Sequence, residues 1–161
     1  MAFRRQRVIK PQGPDHFVVN LGTEERSVIR AVCEDLSSVL DEDESSPSLR
    51  RLFPRGHASD EEVDDAYQQM VHEDLYNSRQ EILAAVAESV ERTELDRETL
   101  EQWMVGLNSV RLVLGTVLDV SEDGTPVLEE DDPMLPAWAV YEFLGSVVDA
   151  AVQALGETLQ P

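Results

Sequence analysis

The stretch with the most chemistry in its spacing is Asp119-Val-Ser-Glu-Asp-Gly-Thr-Pro-Val-Leu-Glu-Glu130. Counted from Asp119, the first, third, fifth, sixth and twelfth places hold Asp, Ser, Asp, Gly and Glu. That is the oxygen-donor spacing of a calcium loop of the EF-hand kind. Pro126 stands at the eighth place, where an aliphatic residue normally joins the loop to a partner loop, and no second loop is present to pair with it. An acidic chain also produces such spacings by chance. The expectation is an ordinary acidic turn with no bound cation; a calcium- or metal-responsive module built on Asp119 to Glu130 is the alternative.

Other reactive side chains point the same way. His72-Glu73 begins a zinc-protease pattern, but Tyr76 stands where the second histidine is required. His16, His57 and His72 are scattered and make no zinc site without carboxylates. Cys33 falls between Ile29 and Leu36 on an apolar helical stripe, where a thiol packs as a small hydrophobe. Burial and the neighbouring Glu34 and Asp35 would raise its pKa and oppose a redox role. Trp103, Trp138, Tyr141 and Phe143 offer rings for stacking bases. Their helical spacing and the acidity of the chain fit core or interface packing better. No glycine-rich phosphate loop occurs, so no nucleotide or other cofactor is expected. No catalytic residue, cofactor-binding residue or metal ligand is assigned, and the chain reads as a non-enzyme. Trp103, Arg111, Trp138 and Tyr141 are the candidate structural or interface anchors, and Cys33 the one conceivable redox residue.

The elements that position these residues are mostly helical. Phe3 to Lys10 and His16 to Leu21 are short β-prone runs around Pro11-Gln-Gly-Pro-Asp15, which reads as a hairpin. From Thr23, read as the N-cap, Val28, Ile29, Val32, Leu36, Val39 and Leu40 recur at helical spacing. Asp41-Glu-Asp-Glu-Ser-Ser-Pro47 ends that helix, and Ser48 to Phe53 adds a short turn that pins Leu49, Leu52 and Phe53. Ser59-Asp-Glu-Glu62 is a capping box. It opens a long continuous helix with Val63, Ala66, Met70, Leu75, Ile82, Leu83, Val86 and Val90 facing inward. Asp96 caps a third helix to about Leu118. Asp132-Pro133 opens a fourth, running to about Leu155. The expected fold is one mainly α domain, a bundle of four principal helices (residues 23–161) with an N-terminal β-hairpin (residues 1–22).

Composition narrows the function classes. The 161 residues are 42% hydrophobic, enough for one self-sufficient core. Thirty-three Asp and Glu against thirteen Lys and Arg leave a net charge of −20. That charge opposes a phosphate backbone and favours a basic protein partner, so no direct nucleic-acid binding is expected. The cations gather at Arg4, Arg5, Arg7 and Lys10 and at Arg50, Arg51 and Arg55. No run of eighteen apolar residues and no secretory leader is found, and a single cysteine allows no internal disulfide. The cytoplasm is the expected compartment. A two-stranded hairpin with open edges, and a last helix apolar over more than one face, lead to the expectation of a homodimer.

Phe3-Arg-Arg5, Arg51-Leu-Phe-Pro54, Asp74-Leu75, Trp103 with Leu107-Asn-Ser-Val-Arg-Leu-Val-Leu-Gly-Thr116, and Ala139-Val-Tyr141 follow one another along the chain. In this ordered combination they resemble an actinobacterial family of AosR-type oxidative-stress transcriptional regulators. The resemblance implies a cytoplasmic regulator acting through protein contacts with a sigma factor or RNA polymerase. The redox form of that role relies on a Cys-x-x-x-Cys pair. Here the positions four residues from Cys33 are Ile29 and Ser37, so an intramolecular thiol switch is excluded.

Overall fold

The computed structural model describes residues 6–42, 49, 52, 61–120 and 128–159. Its elements are β1 (Ile9–Pro11), β2 (His16–Val19), α1 (Thr23–Glu42), α2 (Glu61–Ser89), β3 (Glu94–Asp96), α3 (Arg97–Val117) and α4 (Leu135–Glu157). The helical bundle with an N-terminal hairpin is as expected. The hairpin is not two-stranded, however: β3 pairs antiparallel with β2, placing Phe17 opposite Leu95, and the sheet order is β1-β2-β3. Three residues between two helices are too short to show a strand period, which is why this strand is hidden in the sequence. Gly13, at φ 104°, makes the left-handed turn between β1 and β2.

Alternation divides the sheet into two faces. Ile9, Phe17, Val19 and Leu95 are buried against the helices, while Lys10, His16, Glu94 and Asp96 face outward. α3 is the central helix, packing against α1, α2 and α4, and α4 also covers β1. β3 fills the second edge of β2, while β1, one edge of the sheet, carries Pro11 and packs against α4, and the other edge, β3, is three residues long.

By length and composition α4 is apolar enough to cross a membrane, and 28% of its most apolar stretch is buried. Trp138, Leu144, Val147, Val148, Ala151, Ala154 and Leu155 are buried, whereas Glu142, Ser146, Asp149 and Gln153 form an exposed polar stripe. The helix is amphipathic, with a broad apolar face turned toward α3 and β1.

Helix boundaries differ from expectation where side chains redirect the caps. The N-cap of α1 is Gly22, not Thr23: the Glu25 carboxylate accepts from the Gly22 N–H at 3.1 Å, half of a capping box. α4 begins at Leu135 rather than at Pro133. Asp132 Oδ1 accepts from the Met134 N–H at 2.8 Å in a turn, and Pro136 sits in the first helical turn. α2 runs unbroken through Asn77-Ser-Arg79. Its inward face is shorter than the spacing indicates: Leu83, Val86 and Val90 are buried, but Ala66 and Met70 are exposed. The capping box at Ser59 and the segment Arg51-Leu-Phe-Pro54 lie outside the described residues, apart from Leu52, which is buried together with Leu49. α2 and α3 pack closely at Gly106. A Cβ there would stand 3.0 Å from Val86 Cγ2 and 3.1 Å from Ile82 Cγ2.

Arg26 joins these parts. It lies on the apolar stripe of α1, one turn before Ile29, and is only 7% exposed. Its Nε donates to Leu21 O (3.1 Å), Nη1 to Val90 O (2.5 Å) and Arg92 O (2.7 Å), and Nη2 to Val19 O (3.1 Å). The guanidinium thus ties α1, the end of β2 and the turn from α2 into β3. It also sets a positive charge at the C-terminal end of α2, whose own last turn holds no basic residue. Truncation would strand several main-chain carbonyls in a buried junction, each costing about 1–3 kcal/mol. Arg26→Ala is expected to destabilise the protein by roughly 3 kcal/mol or more in urea unfolding, with Arg26→Lys losing less because one ammonium reaches fewer carbonyls. Equal stability of wild type and Arg26→Ala would contradict this assignment.

Candidate functional site

Of the four aromatic and basic anchors singled out by sequence, the structure brings three together. Arg111 on α3 lies over the Tyr141 ring of α4, its Cζ 5.2 Å from the ring centroid. Trp138, one turn earlier, meets Tyr141 edge-on at 5.7 Å with planes at 80°. The guanidinium fits against Gly145, where an added Cβ would stand 3.3 Å from Arg111 Nε. These residues form a cation–aromatic seam between α3 and α4. The Nε atoms of Arg111 and of Arg79 are buried and have no hydrogen-bond partner among the described residues. Arg79 Nη1 donates to Ser109 Oγ at 2.9 Å, bridging α2 to α3.

Trp103 belongs to a different place. It is fully buried in the α2–α3 seam, where its Nε1–H donates to Ser89 Oγ at 2.8 Å and that hydroxyl donates to Ala85 O at 2.7 Å. Every polar atom of the indole is satisfied, so Trp103 is a structural anchor. Phe143 is half-buried beside the core.

The polar contacts between α1 and α2 are also structural in kind. Ser37 Oγ donates to Gln80 Oε1 (2.5 Å), and Gln80 Nε2 donates to Ser37 O (3.0 Å) and to Asp41 Oδ1 (3.2 Å). The Tyr76 hydroxyl donates to the same Asp41 carboxylate. Tyr76, standing where a zinc site would need histidine, is thus a helix-to-helix tie. His72 lies half-buried one turn earlier on α2.

Cys33 is 1% exposed within the core cluster. Burial, and secondarily the charge of Glu34, push its pKa from 9.0 up to about 12. The thiolate, which is the reactive form, is suppressed at neutral pH. The folded protein holds the proton more tightly than the unfolded chain, so this group's stabilising contribution is complete below about pH 9 and is lost as pH rises toward 12. Thiol reagents are expected to label Cys33 slowly in buffer and fast in denaturant. Stability of the wild type should also fall relative to Cys33→Ala between pH 9.0 and about 12. Rapid stoichiometric labelling of the native protein would contradict both expectations.

Of the calcium-like loop, residues 121–127 lie outside the described residues, but its entry is visible. Asp119 has φ 54°, with Asp119 N–H donating to Thr116 O (3.2 Å) and Val120 N–H to Gly115 O (2.8 Å). These bonds close α3 in a Schellman motif whose left-handed position is held by aspartate instead of glycine. Among the described residues, no group of three or more His, Cys, Asp or Glu is placed to hold a metal ion. Asp119→Gly should raise stability by about 0.5–1 kcal/mol, measured by thermal unfolding, by relieving the left-handed backbone cost. A loss of stability would show that the carboxylate makes a contact of its own.

The fold and its seams define a small acidic α-helical protein whose distinctive side chains join helices to one another. The chain belongs to the family described as a domain of unknown function, DUF2017, whose model matches residues 2–155. It is also similar to proteins named oxidative stress regulator AosR from Mycobacterium tuberculosis (strain ATCC 25618 / H37Rv) and Mycobacterium bovis. Identity to each is 27% over 115 residues, covering 61% of this chain and 53% of theirs. The chain spans about half the length of the curated relatives it matches. No solved structure matches.

Proposed function

We propose that this protein is a cytoplasmic, non-enzymatic regulator of transcription in the oxidative-stress response, acting through contacts with a sigma factor or RNA polymerase. The observation that carries this reading is the 115-residue similarity to relatives named oxidative stress regulators. The side-chain geometry agrees with it: Trp103, Arg111, Trp138 and Tyr141 link helices, and the excess of carboxylates suits a basic protein surface better than a nucleic acid. Sensing does not use an intramolecular disulfide, because Cys33 is the sole cysteine and is buried.

The reading is tested in the native host by deleting the gene and measuring transcripts before and after peroxide. Deletion should alter a defined set of peroxide-induced transcripts, and a Cys33→Ala copy should restore them as well as the wild type does. An unchanged transcript profile would refute the regulatory role. Restoration by wild type but not by Cys33→Ala would overturn the thiol-independent mechanism.

A further inference from the structure

Charge and exposed apolar surface are distributed unevenly along the bundle. The pairs Ser89–Trp103 and Arg79–Ser109 set α2 and α3 antiparallel, and the Asp41–Tyr76 bond does the same for α1 and α2. Arg97 at the start of α3 against Thr158 at the end of α4, with Arg111 against Tyr141, sets α3 antiparallel to α4. The end of α1, the start of α2, the end of α3 and the start of α4 therefore share the end of the bundle distant from the sheet. By the same register, α3 ends near the level of Glu73 and α1 near Leu75. The turns of α2 before that level extend about 18 Å past both neighbours.

Among the described residues, this distal end collects most of the large exposed apolar side chains: Tyr67 (58% exposed) and Met70 (57%) on α2, Val117 (53%) on α3, and Met134 and Leu135 (38% each) at the start of α4. Single exposed apolar residues are ordinary, but five gathered at one end are not. Around them stand the exposed carboxylates of Asp41, Glu73, Asp74, Asp119, Glu130 and Asp131. Between α1 and α2 the sequence holds Arg50, Arg51 and Arg55 alongside Asp43, Glu44 and Asp60; it holds no Lys or Arg between Arg55 and Arg79, and none after Arg111, so carboxylates outnumber cations in the segments that meet at this end. The sheet end, by contrast, carries Arg7, Lys10, Arg26, Arg30, Arg92 and Arg97.

We propose that the distal end is the docking surface for a basic, amphipathic helical segment of a partner protein. Its apolar side chains would meet Tyr67, Met70 and Val117, and its Lys and Arg the surrounding carboxylates. This deepens the regulator reading by giving the partner contact a place and a chemistry. Charge decides the occupant: a second copy would set one strongly acidic end against another, and a nucleic acid would add further negative charge. A basic segment with apolar anchors satisfies both features of the surface.

The test uses the full chain and defined peptides of about five helical turns: a Lys/Leu amphipathic peptide, a Lys/Ser peptide of equal charge and a Glu/Leu peptide. At about 150 mM salt, the Lys/Leu peptide should bind about tenfold tighter than the Lys/Ser peptide, and the Glu/Leu peptide should not bind. Tyr67→Ser combined with Met70→Ser should abolish the tenfold preference, while Val152→Ser combined with Leu159→Ser, on side chains at the sheet end, should keep it. Amide shift changes on wild-type protein, which need no variant, should concentrate in residues 61–75, 114–120 and 128–138. Equal binding of the two basic peptides, shifts centred on the sheet, or an unchanged preference in the Tyr67/Met70 variant would each overturn the proposal. So would a salt-strengthened dimer that the same variant dissociates, because a second copy would then be the occupant. An intact peroxide transcript response alongside any of these failures would leave the regulatory reading standing and remove only this surface.

Discussion

Arg26 is the residue through which sheet and bundle are held in one arrangement. Its planar fork meets four carbonyls: Val19 at the end of β2, the strand that β1 and β3 both use, Leu21 in the link from β2 to α1, and Val90 and Arg92 in the turn that carries α2 into β3. Remove those bonds and the apolar contacts of Ile29, Phe17 and Val90 still attract one another, but nothing directional fixes the angle between helix and strand. Hydrophobic burial is non-directional. A buried guanidinium without a carboxylate is costly to dehydrate, and here main-chain dipoles replace its hydration shell. Arg97 repeats the device more weakly at the rim. It donates to Pro14 O and to the Thr158 hydroxyl while its Cζ lies 6.0 Å from the Phe17 ring centroid. Both arginines draw the sheet onto helices through oxygen atoms that no sequence motif advertises.

Much of the fold was legible because it rests on periodicity. The stripe through Ile29, Cys33, Leu36 and Leu40 and the run around Trp103, Leu107 and Val110 both became buried faces. What stayed hidden depends on partners far along the chain. Nothing local in Glu94-Leu-Asp96 marks a strand; it is one because β2 offers an edge at that point. Arg26 was legible only in hindsight, as a charged residue on the stripe of Ile29 and Cys33. Met70 was misplaced because spacing shows which residues share a face, and cannot show how far the neighbouring helices extend to cover it. Arg111, Trp138 and Tyr141 were named with Trp103 as candidate anchors; that these three meet while Trp103 stands apart required the register between helices.

Seen as a device, the molecule keeps its chemistry quiet. The thiol is buried and protonated, the indole N–H of Trp103 is satisfied, and the Asp96 carboxylate, its pKa lowered chiefly by hydrogen bonding from Thr99, is occupied in capping α3. Side chains that would be reactive elsewhere serve as joints. Among the described residues the remaining carboxylates lie largely on the surface, where they repel one another and give the protein a field that a basic approaching surface would feel before contact, more strongly at low salt.

The contact between β1 and α4 has a temporal consequence. Arg7 and Glu157 are ion-paired at 3.0 Å, and α4 packs on β1, so β1 is covered by a helix synthesised after α1, α2 and α3. While the chain is still growing on the ribosome, Ile9 has no α4 to cover it, and β2 waits for β3 before its second edge is filled. Contacts this distant in sequence close late. The nascent protein therefore passes through a stage in which this hairpin is sticky and incomplete, and the emergence of α4 is the event that seals it.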